Sequence, residues 1–273
     1  MVPGLIRHIS FIGILVLLMS GTALSQGRVV IKGSTTVLPV AQAAAEALMK
    51  KDPQVQVSIS GGGSGDGIKA LIDRITDIAT SSRDIKPEES ALAKSHGVKP
   101  LAHKVAIDAI VPIVHPGNPV SNLSVEQLSL IYQGKIRNWN EVGGENRKIV
   151  MISRDTSSGT YESWQEKILH GAKVSPRSQL QVSSGAIVQL ISRNRFAIGY
   201  IGIGYVNKSV KALKVNGIEA TAENAQSGKY PVARPLFMFT DGQPGGPVAS
   251  FIKFMLGREG QKIVAREGFV PIK

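Results

Sequence analysis

The chain has 273 residues, a formal net charge of +12 and no cysteine. Without cysteine it can form no disulfide and carry no lipid on an N-terminal cysteine. Aromatic residues make up only 5% of the chain, and the lysines and arginines are spread along it. This pattern disfavours a nucleic-acid surface, which needs basic runs interleaved with stacking rings. A small anion attracted by a positive field fits the composition better.

The first 25 residues have the pattern of a secretory signal peptide. Arg7 supplies the positive start, Ile9–Met19 the apolar core, and Ala23–Ser25 the small residues before cleavage. The apolar stretch is too short to favour a permanent membrane anchor. We therefore expect a soluble periplasmic chain with no stable membrane insertion after cleavage.

The first predicted strand–turn–helix unit begins with the β-branched run Val29–Ile31. Pro39 suits the first turn of the helix that follows, because its fixed φ matches a helix and its missing N–H costs nothing there. The turn between them carries the hydroxyl residues Ser34, Thr35 and Thr36.

The second unit is built around a glycine-rich turn. The alternating strand Val55–Ile59 precedes Gly61–Gly67, which contains Ser64. After it, apolar residues recur at helical spacing up to Ile75. Glycines allow the backbone to approach a ligand closely. A flexible linker is the alternative, but the strand before and the helix after disfavour it.

The third unit places a cation beside a helix start. Ile149–Ile152 is a predicted buried strand, and Arg154 follows it. The free N–H groups expected at Ser158, Gly159 and Thr160 favour an oxyanion. Arg154 adds a planar fork of donors. Alone, this turn could be an ordinary capped helix; together the three turns predict one anion held mostly by neutral dipoles.

Strand and helix signals alternate through the rest of the chain, which predicts an α/β fold with mostly parallel sheets, as one large domain or two lobes. The predicted strands are Ile110–Val114, Ala197–Tyr200 and Leu236–Thr240. The predicted helices are Val125–Tyr132, Ala186–Ser192, Pro247–Leu256 and Glu259–Arg266.

Enzyme motifs are missing from the sequence. Asp66 occupies the last glycine position of a Gly-x-Ser-x-Gly elbow around Ser64, and there is no phosphate-binding P-loop motif. The histidines lack metal-ligand spacing. We therefore expect a site that binds without turnover, with no metal and no cofactor. An exported phosphatase with a serine or threonine nucleophile is the alternative, and a metal-free assay with a chromogenic phosphate ester would separate the two.

These turns resemble those of the periplasmic phosphate-binding proteins of ABC importers, the PstS family, and residues 131–140 and 259–271 resemble two further signatures of that family. The resemblance covers nearly all of the chain after the signal peptide. It implies a type II periplasmic binding protein: two α/β lobes, each a mostly parallel sheet flanked by helices, with the ligand in the cleft between them. Lobe 1 would comprise 26–110 plus 232–273 and lobe 2 would comprise 111–231, with crossings near 108–113 and within 203–235.

The resemblance also implies a function: a monomer that captures inorganic phosphate and delivers it to membrane ABC permease subunits. If the family's ligand contacts apply to this chain, the lobe 1 residues that bind the ligand would be Ser34, Thr35, Thr36, Ser64, Ser82 and Arg83. From lobe 2 it would be met by Arg154, Ser158, Gly159 and Thr160.

One position departs from the family pattern. Better-known members have an Asp after the third strand that accepts the proton of bound phosphate and so disfavours sulfate; Arg83 stands there instead. Asp66, Asp84 or Asp155 could take over that role, although Asp155 is better explained as orienting Arg154. The same receptor binding another oxyanion, such as sulfate, molybdate or a phosphate ester, therefore stays open.

Overall fold

The computed structural model describes residues 27–272, and these form a mixed α/β protein. The predicted signal peptide lies outside the described residues. The strands are β1 Gly27–Gly33, β2 Val55–Ser60, β3 Ile78–Ser81, β4 Pro100–Val114, β5 Asn122–Leu123, β6 Val150–Arg154, β7 Gln179–Gln181, β8 Ala197–Gly202, β9 Lys211–Ala212, β10 Lys214–Val215 and β11 Ala233–Asp241. The helices are α1 Leu38–Lys51, α2 Ser64–Ile72, α3 Pro87–Ser95, α4 Val125–Tyr132, α5 Gly159–Lys167, α6 Ser184–Arg193, α7 Ala222–Gln226, α8 Gly246–Leu256 and α9 Arg258–Arg266.

The main sheet has nine strands in the order β2-β1-β3-β11-β4-β8-β6-β7, with β9 also paired to β4. Parallel pairs lie toward its two ends: β1 with β2 and β3, and β6 with β7 and β8. Antiparallel pairs all involve β4 or β11. The sheet is therefore parallel toward its two ends, as the alternating strands and helices of the sequence predict. In the middle, where β4 and β11 connect these two ends, it is antiparallel.

Strand β4 joins the two ends of the sheet because it is 15 residues long. Its first part, up to Ala109, pairs with β11, and its last part, from Ile110, pairs with β8. The register between β4 and β11 sets Arg234 directly opposite Asp108.

Two main groups of buried apolar residues lie on either side of this junction. We call them the first core, around β1, α1, α8 and α9, and the second core, around β4, β6, β8 and α5. The largest side chains of the second core are aromatic: Trp164 stacks on Tyr200 with ring centroids 4.2 Å apart, and Tyr132 meets both rings edge-on.

The amino ends of α2 and α5 meet where the two cores face each other. The backbone N–H of Gly65 donates to the carbonyl of Ser157 across this seam at 3.0 Å. Helices that follow parallel strands begin at the strands' carboxyl ends, where α/β proteins place their ligands.

Within residues 27–272, the helices are all too short or too polar to traverse a bilayer.

Candidate anion-binding site

The turn after β1 is held by a backbone hydrogen bond to β3 and by the hydroxyl of Ser34. The backbone N–H of Ser34 donates to the carbonyl of Thr80 at 2.9 Å, and the Ser34 hydroxyl accepts from the N–H of Thr36 at 3.2 Å. The side chains of Ser34, Thr35 and Thr36 are all buried. The turn therefore presents three hydroxyls at the seam between the two cores, as the sequence predicts.

Ser64 begins α2, and its side chain reaches the end of β3. Its hydroxyl accepts the backbone N–H of Ser82 at 3.0 Å and lies 3.3 Å from the Ser82 hydroxyl. Both serines are fully buried. The glycine turn before α2 brings this helix close to β1: a Cβ on Gly67 would lie 2.7 Å from the Gly33 backbone.

On the second core, Ser158 caps α5. Its hydroxyl accepts the backbone N–H groups of Thr160 and Tyr161 at 3.2 and 3.3 Å. Gly159 follows and lies against the first core, because a Cβ there would come within 2.4 Å of the Ser64 hydroxyl and 2.8 Å of the Ser82 hydroxyl. Only glycine permits this approach.

The structure brings most of the predicted residues together. The hydroxyls of Thr36 and Thr160 lie 2.9 Å apart, which joins the turn after β1 to the start of α5. We call the region where they meet the cleft, lined by residues 34–36, 64, 82, 154, 158–160 and 184. Its halves come from the first and the second core.

Arg154 lies at the end of β6 and is 1% exposed. Arginine has five N–H groups, and three are bonded here: Nε donates to the carbonyl of Gln181, Nη1 to the hydroxyl of Ser184 and Nη2 to the carbonyl of Val182, at 3.0, 3.3 and 3.1 Å. The second N–H on each Nη atom has no hydrogen-bond acceptor among residues 27–272.

Asp155 is the carboxylate next to Arg154. Its Oδ2 lies 3.7 Å from Arg154 Nη2 and is buried without a hydrogen bond in the described chain, while its Oδ1 accepts from the backbone and hydroxyl of Ser157. Burial lowers the pKa of Arg154, and the charge of Asp155 opposes that shift. Asp66 and Asp84, the other two carboxylates that the sequence offers, are exposed to solvent.

Arg83 is placed differently from the other predicted ligand residues. Its Nη1 and Nη2 donate to the two carboxylate oxygens of Glu89, each at 2.7 Å, and its Nε faces the carboxylate of Glu162 on α5. Burial acts to lower the pKa of Arg83, but the bonds and charges of Glu89 and Glu162 raise it overall. Burial also raises the pKa of Glu162. The guanidinium therefore bridges two carboxylates from opposite sides of the cleft instead of facing its hydroxyls, and a role as ligand stays an unsupported prediction.

Three buried residues at the cleft were missed by the sequence analysis. Ser184 begins α6; its backbone N–H donates to the Thr35 hydroxyl at 3.4 Å, and its own hydroxyl accepts from Arg154. Ser183–Gly185 repeats the Ser-Ser-Gly of 157–159, a signal that could have identified it. Asp108 and Arg234 form a buried ion pair at 2.8 Å. Charged residues inside apolar strands were the signal there, because such charges are buried only when paired.

The cleft offers hydrogen-bond donors without a cluster of metal ligands. Among residues 27–272, no group of histidines and carboxylates could hold a metal ion. Tyr205 donates its hydroxyl to the carbonyl of Thr35 at 2.5 Å, and burial raises its pKa to about 12, so that it stays a donor. Neutral donors around one cation suit an oxyanion.

Comparison with known proteins identifies the family of this chain. A family model described as "PBP superfamily domain" matches residues 20–259. The chain is 30% identical over 254 residues to the phosphate-binding protein PstS of Bacillus subtilis, covering 92% of this chain and 83% of the relative. It is 34% identical over 255 residues to PstS of Borreliella burgdorferi, covering 89% of each.

Solved structures that are similar to this chain include phosphate receptors of ABC transporters. A putative phosphate ABC transporter substrate-binding protein from Clostridium perfringens, solved with bound phosphate, superposes with a TM-score of 0.84 at 41% identity, covering 90% of this chain and 100% of that one. An ABC-type phosphate transport receptor from Vibrio cholerae superposes with a TM-score of 0.72 at 30% identity, covering 89% and 99%.

Proposed function

Because this chain belongs to the PBP superfamily and, within it, to the family of PstS phosphate-binding proteins, we propose that it captures inorganic phosphate and delivers it to an ABC-type permease. The relatives named above are phosphate-binding proteins and substrate-binding proteins of ABC transporters. Binding and release, without chemical turnover, is the activity that we assign to the chain.

One observation carries the proposal: Arg154 is buried at a cleft lined by hydroxyls, and two of its N–H groups have no hydrogen-bond acceptor within the described chain. The nearest carboxylate, Asp155, lies 3.7 Å away. A buried cation with unused donors is stabilised by an anion that accepts from it. A tetrahedral oxyanion has enough acceptor oxygens to meet the fork of Arg154 and the hydroxyls opposite it.

We assign the ligand contacts to the two sides of the cleft. The first core would contribute Ser34, Thr35, Thr36, Ser64 and Ser82. The second core would contribute Arg154, Ser158, Gly159 and Thr160. Arg83 is left out of this set, because its guanidinium is paired with Glu89 and Glu162.

We further propose that the two cores belong to two lobes, 26–110 plus 232–273 and 111–231, which close on the ligand. In support, the buried apolar residues of 109–232 that form the second core are joined there only by Val270 from outside this range. Those of 29–106 and 236–269 pack in the first core or in a smaller cluster around α2 and α3. Each lobe holds half of the donors, so only the closed form completes the site. Residues 1–25 would export the chain to the periplasm, where it would act as a monomer.

Isothermal titration of the mature chain, stripped of bound anion, tests this function. We expect tight binding of phosphate and no binding of sulfate. Absence of phosphate binding would refute the proposal, and binding of sulfate or molybdate alone would assign the same fold to a different oxyanion.

Asp155 is the remaining candidate for the carboxylate that distinguishes phosphate from sulfate, because its Oδ2 is buried and unbonded within residues 27–272. Asp155→Asn should weaken phosphate binding and leave sulfate binding unchanged or improved, since a carboxylate accepts the proton that only phosphate carries at neutral pH. Asp84→Asn, on an exposed carboxylate, is the control. Equal selectivity in the wild type and both variants would exclude Asp155 from this role.

A further inference from the structure

The buried ion pair between Arg234 and Asp108 lies where β4 and β11 pair, and its guanidinium also contacts the start of α5. Two N–H groups of Arg234, on Nε and Nη2, donate to the same oxygen of Asp108, at 3.0 and 2.8 Å. The other oxygen of Asp108 accepts the backbone N–H of Ile203 at 3.0 Å. Burying such a pair is expensive in free energy, so the remaining contacts of the guanidinium are informative.

Apart from the Ser163 hydroxyl, 3.5 Å from Nη1, the remaining contacts of Arg234 lead to the cleft. Nη1 of Arg234 donates to the carbonyl of Gly159 at 3.1 Å, in the first turn of α5. Nη2 donates to the Thr160 hydroxyl at 2.9 Å and lies 3.4 Å from the Thr36 hydroxyl. The donors of Arg234 are therefore engaged by protein groups, whereas two of the five N–H groups of Arg154 are not.

Arg234 restricts the directions in which the hydroxyls of Thr36 and Thr160 can donate. A guanidinium can donate but cannot accept, so a hydroxyl that receives its N–H must direct its own hydrogen elsewhere. Thr36 and Thr160 lie 2.9 Å apart and share one of their two hydrogens between them. The other hydrogen is kept off Arg234 and has no acceptor among the hydrogen bonds of residues 27–272. An oxyanion bound beside the two threonines can accept it.

We propose that Arg234 is a positioning residue for anion binding: held by Asp108, it orients the hydroxyls of Thr36 and Thr160 as donors and fixes the amino end of α5. This inference rests on the proposed phosphate binding. The charge of Asp108 balances that of Arg234, so the pair acts on the ligand through the hydroxyls, with little long-range attraction of its own. Orienting donors before the ligand arrives removes an ordering cost from binding.

A double-mutant cycle in phosphate affinity tests the inference. Thr160→Val removes the hydroxyl and Arg234→Lys removes the fork while keeping the charge beside Asp108. Each single variant should weaken binding by roughly 10-fold or more, the loss expected for one hydrogen bond to a charged group. In the double variant the combined loss should be clearly smaller than the sum of the two single losses, because one of the hydroxyls through which Arg234 acts is already gone.

Additive losses in that cycle would overturn the proposal, since a residue that only supports the fold lowers affinity equally in both backgrounds. Ser163→Ala is the matched control: its hydroxyl also lies near Arg234 Nη1, at 3.5 Å, but one turn along α5 from Thr160, and the Kd should not change. Thermal unfolding without phosphate, measured for every variant, separates loss of stability from loss of binding.

A second pair of substitutions keeps the test decisive if Arg234→Lys does not fold. Asp108→Asn with Arg234→Gln replaces the ion pair by a neutral amide pair, which avoids an uncompensated buried charge. The same cycle with Thr160→Val should again be non-additive. If neither background folds, Arg234 is a structural residue and the inference is wrong. If the wild type itself fails to bind phosphate, it is the proposed function that fails.

Discussion

Replacing Arg154 by methionine removes a buried cation from the cleft. Within the described chain, two N–H groups of this cation have no acceptor. Methionine preserves much of the apolar stem and removes the charge and all five N–H groups. The variant loses the two N–H groups that we assign to the anion. It also leaves the carbonyls of Gln181 and Val182 without their donors.

The magnitude follows from the number of bonds. A hydrogen bond to a charged group is worth about 1.5–3 kcal/mol, so the loss of two should weaken phosphate binding by about 3–6 kcal/mol, or about 100- to 20,000-fold. Arg154→Lys keeps a charge but not the fork, and its Kd should fall between those of the wild type and Arg154→Met.

Titration calorimetry with phosphate measures the loss directly, beside thermal unfolding of the unliganded variants. Arg177→Met is the control, because Arg177 is exposed and its substitution changes the net charge by the same amount. A Kd for Arg154→Met within threefold of the wild-type value would refute our assignment of the ligand's main cation. A loss of the same size in Arg177→Met would show that net charge alone governs affinity.

Two further predictions concern contacts across the cleft. Gly159→Ala would place a Cβ within 2.4 Å of a serine hydroxyl of α2, so closure around phosphate should fail and phosphate affinity should drop at least about 10-fold. The control is Gly245→Ala at the start of α8, where a Cβ would have nothing within 4 Å and phosphate should bind normally. Equal affinities of the two variants would contradict the close approach of Gly159. Glu162→Gln removes the carboxylate that ties Arg83 to α5, so phosphate affinity should fall about 2- to 10-fold and depend less on salt. Glu166→Gln, on an exposed carboxylate of the same helix, is the control, and identical salt dependence in both would rule out the bridge.

Local sequence signals predicted the parts of the site that depend on one strand–turn–helix unit. The helix predicted at Val125–Tyr132 has those bounds in the structure, and the last two helices differ from the prediction by one residue at their starts. The hydroxyl turns were found because each lies between a clear apolar strand and a helical stripe. Helix α3 was missed, since its charged residues give almost no apolar face, and strands of two or three residues carry too little pattern to detect.

Contacts between distant segments could not be predicted in the same way. Strand β4 was expected only over Ile110–Val114, because His103, Lys104 and Asp108 interrupt its apolar pattern. A charged residue can lie in a buried strand when a partner from elsewhere in the chain pairs with it. Asp108 is paired with Arg234 through the register between β4 and β11. Likewise, Glu162 comes to Arg83 only when the two sides of the cleft meet. Neither pairing leaves a signature in the spacing of nearby residues.

Three arginines lie at or near the cleft, and their partners explain why only one is left for a ligand. Arg83 is matched by Glu89 and Glu162, and Arg234 is matched by Asp108 at hydrogen-bond distance. Arg154 has Asp155 only at 3.7 Å, and its bonded partners are two neutral carbonyls and a neutral hydroxyl. The charge of this buried guanidinium is only weakly balanced by protein groups, and burial raises the free energy of an unbalanced charge. An anion that binds beside Arg154 is therefore stabilised. The two paired arginines then fix the walls of the cleft: one bridges it, and the other sets the hydroxyls that face the anion.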